Sequence, residues 1–378
     1  MKKHPTTLLR RRSPEAGVTL IELMVALLLG LILIGGAIQV FTSNRAAYAF
    51  NEGFSRLQEN GRFALDTLNF RGRMAGYLGC LSGVTVYNHV VGGSASLAFN
   101  IGEGLRGYEG VGSSPGQTVA PTSSNPTNST NAANWSPALP AALVGSVIPL
   151  GDVLVIRNVS PSSVSLVSPF TNAAQAFAGG TPADVSIGEI AVVSDCQKAS
   201  IFQVTNVSNN PMGGVDVVHS NSGAVSPGNV DSNWPTPQED YGPGAELLRA
   251  ETWIYYVGAR PGDGRPALFQ RRLQVNGAGA AVLAAEEIAE GVETMQVRYG
   301  VDANLDGAIE QYVTANAVAD WARTASVRVS IVVRSPEEYG TEVDTSNYTV
   351  DGTTFDPVDD RRVRQVFVST IAIRNRLP

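Results

Sequence analysis

About 23 consecutive residues, Val18 to Val40, read VTLIELMVALLLGLILIGGAIQV and carry a single charge, Glu22. At 1.5 Å of rise per residue such a helix crosses a bilayer core of about 30 Å. Five bases precede it (Lys2, Lys3, Arg10, Arg11, Arg12) against one acid, Glu15. That cluster holds the N-terminus in the cytoplasm and sends the rest outward. A secretory signal has a shorter apolar region followed by a small-residue cleavage site, and this run fits neither feature. The expectation is a single-span anchor with a large extracytoplasmic body.

Charge and spacing sharpen that expectation. The apolar run starts abruptly at Gly17-Val18, and Glu22 lies about one turn inside it. A carboxylate there costs several kcal/mol unless it is paired or snorkels to the interface. The formal charge of −7 divides into +4 over residues 1–17 and −11 over the remainder, whose one lysine is Lys198. Phosphate affinity comes from Lys and Arg, so no nucleic-acid partner is expected.

The segment PEAGVTLIELMVALLLG resembles the type IV prepilin signal. The resemblance implies cleavage after Gly17, methylation of the new Val18 amine, and pairing of Glu22 with that amine on a neighbouring subunit. Cleavage would create a second charge in the apolar layer, so each charge supplies the other's partner. Two departures stand out: Val18 replaces the commoner phenylalanine, and the run lacks a helix-kinking proline.

Beyond Phe41, Phe50, Phe54, Leu57, Gly61, Leu65, Leu68, Gly72 and Ala75 recur at helical spacing to about Leu78. Residues 110–140 are low in complexity and too polar to bury, and they read as a surface loop. Strand-like runs then follow, separated by Gly, Pro and Asn: Asp152–Val159, Ile187–Ser194, Ser200–Val207, Val215–His219, Thr252–Val257, Ala267–Val275, Val292–Tyr299, Ser326–Arg334 and Val363–Arg374. Val318–Trp321 reads as a short helix. Without a strand–helix rhythm, an antiparallel sheet is favoured. The fold class is α+β: a long N-terminal helix, part transmembrane and part amphipathic, on a mostly antiparallel β-rich globular head. The organisation is leader 1–17, membrane helix 18–40, amphipathic helix 41–80 and extracytoplasmic head 81–378.

Further blocks resemble PilW-type minor pilins: LQENGRFALDTL, AGYLGC, SDC with IFQV, GVETMQVRYGVD, and the run from Trp321 to Ser335. The resemblance implies a structural subunit that primes type IV pilus assembly at or near the tip. Its implied partners are other minor and major pilins, the prepilin peptidase, an inner-membrane assembly platform and a tip adhesin. Its implied path runs from the inner membrane to the extracellular pilus. A J-type minor pseudopilin of type II secretion is the alternative, with the same N-terminal physics.

Catalytic chemistry is not expected. Gly112-Ser-Ser114-Pro-Gly116 has the letters of a hydrolase elbow without the strand before it or the helix after it. His4, His89 and His219 lack a metal or acid–base context, and the carboxylates read as solvated surface. Cys80 and Cys196, the only cysteines, lie on the oxidising side and form one staple or two buried thiols. Asp302, Asn304, Asp306 and Gly307 match the first half of a calcium loop, but Val313 occupies the twelfth position. The same residues suit a hairpin turn.

Overall fold

The computed structural model describes residues 17–79, 85–168, 175–181, 184–211, 213–232 and 240–376. The leader residues 1–16 and Cys80 lie outside them. Residues 1–52 and 53–378 form two compact units.

One helix, α1, runs unbroken from Leu20 to Gly72, 53 residues. No proline occurs between Pro14 and Pro115, so nothing removes an amide from its ladder. It ends at Gly72, short of Leu78, and Arg73–Gly76 turn away. From Leu20 to Val40 its apolar side chains are exposed, and it is long and apolar enough to cross a membrane.

The second unit starts with the other part of α1. Gly53, Leu57, Gly61, Ala64, Leu65, Leu68 and Gly72 form its buried face. A Cβ at Gly53 or Gly61 would run into the rings of Tyr339 and Phe367, and one at Gly72 would stand 2.9 Å from Ile371. These glycines let the helix backbone lie directly on the head. Each buried leucine contributes about 1.5–3 kcal/mol.

The head is built from nineteen strands among the described residues. They are β1 (Thr85–Asn88), β2 (Leu105–Gly110), β3 (Thr118–Val119), β4 (Trp135–Ser136), β5 (Val153–Ser165), β6 (Gln175–Ala178), β7 (Ile190–Ser194), β8 (Lys198–Gln203), β9 (Asn206–Asn209), β10 (Val215–Val218), β11 (Glu246–Ala259), β12 (Pro266–Val275), β13 (Ala281–Glu290), β14 (Val292–Val301), β15 (Gln311–Val313), β16 (Thr324–Arg334), β17 (Tyr348–Val350), β18 (Thr353–Phe355) and β19 (Arg364–Ala372). A large sheet orders β1-β8-β7-β11-β5-β2-β4, with β12 added to β11 and β13 to β12. A second sheet orders β15-β14-β16-β19, and two small sheets are β6-β10-β9 and β17-β18-β3. Pairing is antiparallel except for β1 with β8 and β18 with β3. The fold class is therefore α+β, with a long apolar N-terminal helix and a mostly antiparallel head.

The main core joins Leu57, Ala64, Leu65 and Leu68 to Trp253, Tyr255, Val257, Met295, Val297, Val327, Val329, Ile331, Val333 and Ile371. On β16 these valines and Ile331 alternate with Arg328, Ser330, Val332 and Arg334, as the period of two requires. The opposite face is covered by Val119, Val350 and Phe355 against Val332.

Several elements differ from the sequence expectation, which placed no strand at β1, β2, β6, β13, β15, β17 or β18, and three regions show why. Residues 110–140 include β3, β4 and a buried Trp135 whose indole N–H donates to Gly151 O, so part of the stretch is tied down. The segment Ala281–Glu290 reads AVLAAEEIAE, a helix-forming composition, yet pairs with β12 along its length. Tertiary pairing overrides propensity there. The expected short helix near Val318–Trp321 is two 3-10 turns, Ala315–Ala317 and Trp321–Arg323.

Candidate functional site

Gly17, Val18 and Thr19 precede the helix in non-helical conformation, and the first turn holds Glu22. The Glu22 carboxylate accepts the Thr19 N–H at 2.9 Å and the Thr19 hydroxyl at 2.8 Å. In return, the Glu22 N–H donates to Thr19 Oγ1 at 3.3 Å. This is a capping box, in which two orphan amide donors of a helix start find side-chain acceptors. Thr19 was missed by the sequence reading, although a threonine three residues before a glutamate carries that signal in plain view.

Gly17 has no packing role comparable to Gly53, Gly61 or Gly72, since a Cβ placed on it meets nothing within 4 Å. Val18 is 72% exposed. The junction is thus an accessible small–apolar pair in front of a capped helix whose next turns are entirely apolar.

The loop after β14 gathers another group. Asp302, Asp306 and Glu310 bring carboxylate oxygens within 4.8 Å of one another, and Asn304 donates to Asp306 at 3.0 Å. Asp302 also accepts the amides of Leu305 (2.7 Å), Asp306 (3.2 Å) and Gly307 (2.9 Å). Those bonds close the turn by themselves, while the three carboxylates concentrate negative charge. Leu305 and Gly307 take φ of 63° and 86°, the left-handed conformation such a turn demands.

Buried ion pairs are the feature the sequence concealed. Glu109, Asp152 and Glu293 are 1–5% exposed, against the expectation of solvated carboxylates. Arg298 faces Glu109 at 3.3 Å and Asp152 at 3.6 Å. Asp152 accepts the amides of Gly110 (2.9 Å) and Val297 (2.7 Å). Burial, then the Glu109 charge beside it, pushes the Asp152 carboxyl well above its ordinary range. Burial likewise raises Glu109, against the pull of Arg298. In a second group Arg364 bridges Glu293 (2.7 Å) and Asp360 (2.8 Å), and Arg334 reaches Glu293 at 3.2 Å. Composition alone does not tell a buried carboxylate from an exposed one.

The remaining sequence candidates are placed as follows. Cys196 follows β7 in the left-handed region, φ 69°. A strand, β2, does precede Gly112, but no helix follows Gly116, and the Ser114 hydroxyl donates to Glu109 at 3.2 Å. His89 is buried with Nδ1 3.3 Å from Asp231, a carboxylate neighbour that the sequence did not suggest. His219 packs against the Phe202 ring.

Comparison with known proteins fits this geometry. Residues 254–375 match the family described as Type IV Pilus-assembly protein W, and residues 12–38 match the prokaryotic N-terminal methylation motif. Over those residues the chain is similar to PilW-type pilus-assembly proteins and to the prepilin N-terminus. The methylation-motif match brackets Gly17, Val18, Thr19 and Glu22, and the PilW match covers β14, β16, β19 and the 302–310 loop. A type IV-like pilin from Thermus thermophilus aligns with 34% of this chain and 67% of its own, at 17% identity and a TM-score of 0.22. No curated protein sequence matches. The family's members are structural pilus proteins, and an exposed apolar helix fits a membrane-anchored pilin.

Proposed function

We propose that this chain is a minor pilin that helps prime a type IV pilus and resides at or near its tip. The observation that carries the reading is the capped, wholly exposed apolar helix behind Gly17-Val18, inside a methylation motif. A prepilin peptidase cuts between Gly17 and Val18 and methylates the Val18 amine. The basic leader keeps that end cytoplasmic in the inner membrane, and the head faces outward. In the filament, Glu22 exchanges its contact with Thr19 for the Val18 amine of an adjacent subunit. Partners are other minor and major pilins, the assembly platform and a tip adhesin. The PilW match favours a pilus over the J-type pseudopilin alternative. Intact-mass analysis of sheared filaments tests the reading. A mature chain starting at methylated Val18 is expected, and a chain that keeps residues 1–17 or is missing from filaments overturns it.

Two subordinate assignments accompany it. A Cys80–Cys196 disulfide is supported by the lack of a free cysteine among the described residues. Closing a loop of order 100 residues contributes up to about 4–5 kcal/mol in the chain-entropy model. Equal thiol labelling of denatured protein with and without reductant would refute the bridge. Calcium at Asp302, Asn304 and Asp306, with Glu310 as a further oxygen donor, is supported by the convergence of three carboxylates.

A further inference from the structure

The outermost strands of the sheets are not equally protected. Strands β1, β6 and β9 have four residues each, β15 has three and β4 two. The long outer strand β13 carries Glu286, Glu287 and Glu290. Short length and charge are the usual ways of blunting an edge. Strand β19 is long, nine residues, pairs with β16 without a bulge, and its one charge, Arg364, is turned into a buried ion group with Glu293 and Asp360. Its run Gln365 to Ile373, QVFVSTIAI, holds no charge, proline or glycine.

Its ladder shows which groups are free. The Ile373 N–H donates to Ala325 O at 2.9 Å, and the Ser335 N–H donates to Val363 O at 2.8 Å. By antiparallel alternation, residues 365, 367, 369 and 371 turn their amides and carbonyls toward β16. Val366, Val368, Thr370 and Ala372 turn theirs outward and make no other backbone hydrogen bond among the described residues. Val366 is half-buried, whereas Val368 is 56% exposed and Thr370 and Ala372 are also exposed.

A second copy is a poor occupant. Gly61 lies against Phe367, Asn69 bonds Ser369 at 2.9 Å, Gly72 lies against Ile371, and Asn375 bonds Ala75 O at 3.4 Å. The helix therefore runs in the same direction as β19. An antiparallel pair of two β19 edges would set the Gly53–Gly72 helices of two copies head to tail. It would also set Arg374 of each copy beside Arg361 and Arg362 at the start of the other's β19, like charge against like. Just past β19, Arg374 is exposed and has no ion-pair partner among the described residues. In an antiparallel arrangement it faces the N-terminal flank of whatever pairs with β19.

We propose that the open edge of β19 receives an extended segment of a different polypeptide, antiparallel and uncharged opposite Val366–Ala372, with a carboxylate at its N-terminal flank facing Arg374. Main-chain hydrogen bonds supply the attraction in such strand addition, and alternate side chains supply the selectivity.

The test places p-benzoylphenylalanine at position 368 or 370 of the full chain in cells that make it, with cross-linking in membrane and filament fractions. The expected products join both positions to one other polypeptide, at two sites about two residues apart in reversed order. Val368→Pro removes an outward amide while sparing the β16 ladder. It should cut the product from position 370 about tenfold, roughly the loss of one hydrogen bond with its geometry. The head's melting temperature should stay within a few degrees. Ser369→Pro, which removes an amide bonded to β16, should instead melt the head. Products with this chain's own β19, products without a common register, or no product at all overturn the proposal. A registered product from a chain absent from filaments would sink only the pilus reading.

Discussion

Charge meets apolar surroundings in two regions of this molecule, and the two handle it differently. In the head, Arg298 and Arg364 are buried with their carboxylates; the amides of Gly110 and Val297 complete the first group, and Arg334 with the Arg362 amide completes the second. In the helix, Thr19 is the one side-chain partner of Glu22 among the described residues, within a run of exposed apolar side chains. A group completed inside its own chain is structural. In the proposed assembly role, Glu22 exchanges its threonine for another partner.

Glu22→Ala should produce the largest change. Removing the charge makes the span more apolar, so membrane insertion persists. Cleavage should persist as well, since the proposed cut depends on Gly17. Incorporation into sheared pili should be lost, with the head's melting temperature unchanged, and Glu22→Gln should behave nearly as badly. Wild-type amounts of Glu22→Ala protein in pili would return Glu22 to a snorkelling surface carboxylate.

Arg298→Met is the matching experiment in the head. It leaves Glu109 and Asp152 buried without their cation and should cost about 3–5 kcal/mol of head stability. Chemical denaturation measures it. A cost below about 1 kcal/mol would mean that the cluster behaves like a surface pair.

The same cluster sets a pH dependence of definite sign. Glu109 and Asp152 have folded-state values raised by burial. Their contribution is therefore fully present below the unfolded carboxylate range near 4 and is lost as pH rises through the folded values. Glu109→Gln removes one of the two competing carboxylates. The stability of wild type minus that of Glu109→Gln should fall as pH rises from about 4 toward neutrality. A difference that stays flat or grows would show that the carboxylates are not held above their usual range.

How much of this was legible in the sequence follows from the physics of each part. The helix was, because an uninterrupted apolar run and the absence of proline act locally. Most strands were too, since Val327, Val329, Ile331 and Val333 reveal their face by alternation. Strand β13 was not, because Ala and Glu prefer helix and only the partner strand β12 overrules them. Glu109, Asp152 and Glu293 were not, because burial comes from chain segments far apart: Glu109 and Arg298 are 189 residues apart. Thr19 was legible and missed.

The smallest expected effect concerns calcium, where a completed carboxylate and incomplete ones lie side by side. Asp302 already accepts three amides, so it resembles the self-contained carboxylates of the head. Asp306 and Glu310 are exposed and lie within 4.8 Å of it, and like charges this close repel unless a cation joins them. A ligand that binds only the folded state stabilises it by RT ln(1 + [L]/Kd), about 2.7 kcal/mol at a hundredfold excess over Kd. With Val313 where a calcium loop has its bidentate glutamate, affinity should fall in the weak range of extracellular sites, about 10⁻⁴–10⁻³ M. Millimolar calcium should then raise the head's melting temperature by a few degrees relative to chelator. Asp306→Asn should remove most of that rise and leave the calcium-free melting temperature near wild type. Equal melting temperatures with calcium and with chelator would leave Asp302–Glu310 as a hairpin turn held by its own hydrogen bonds.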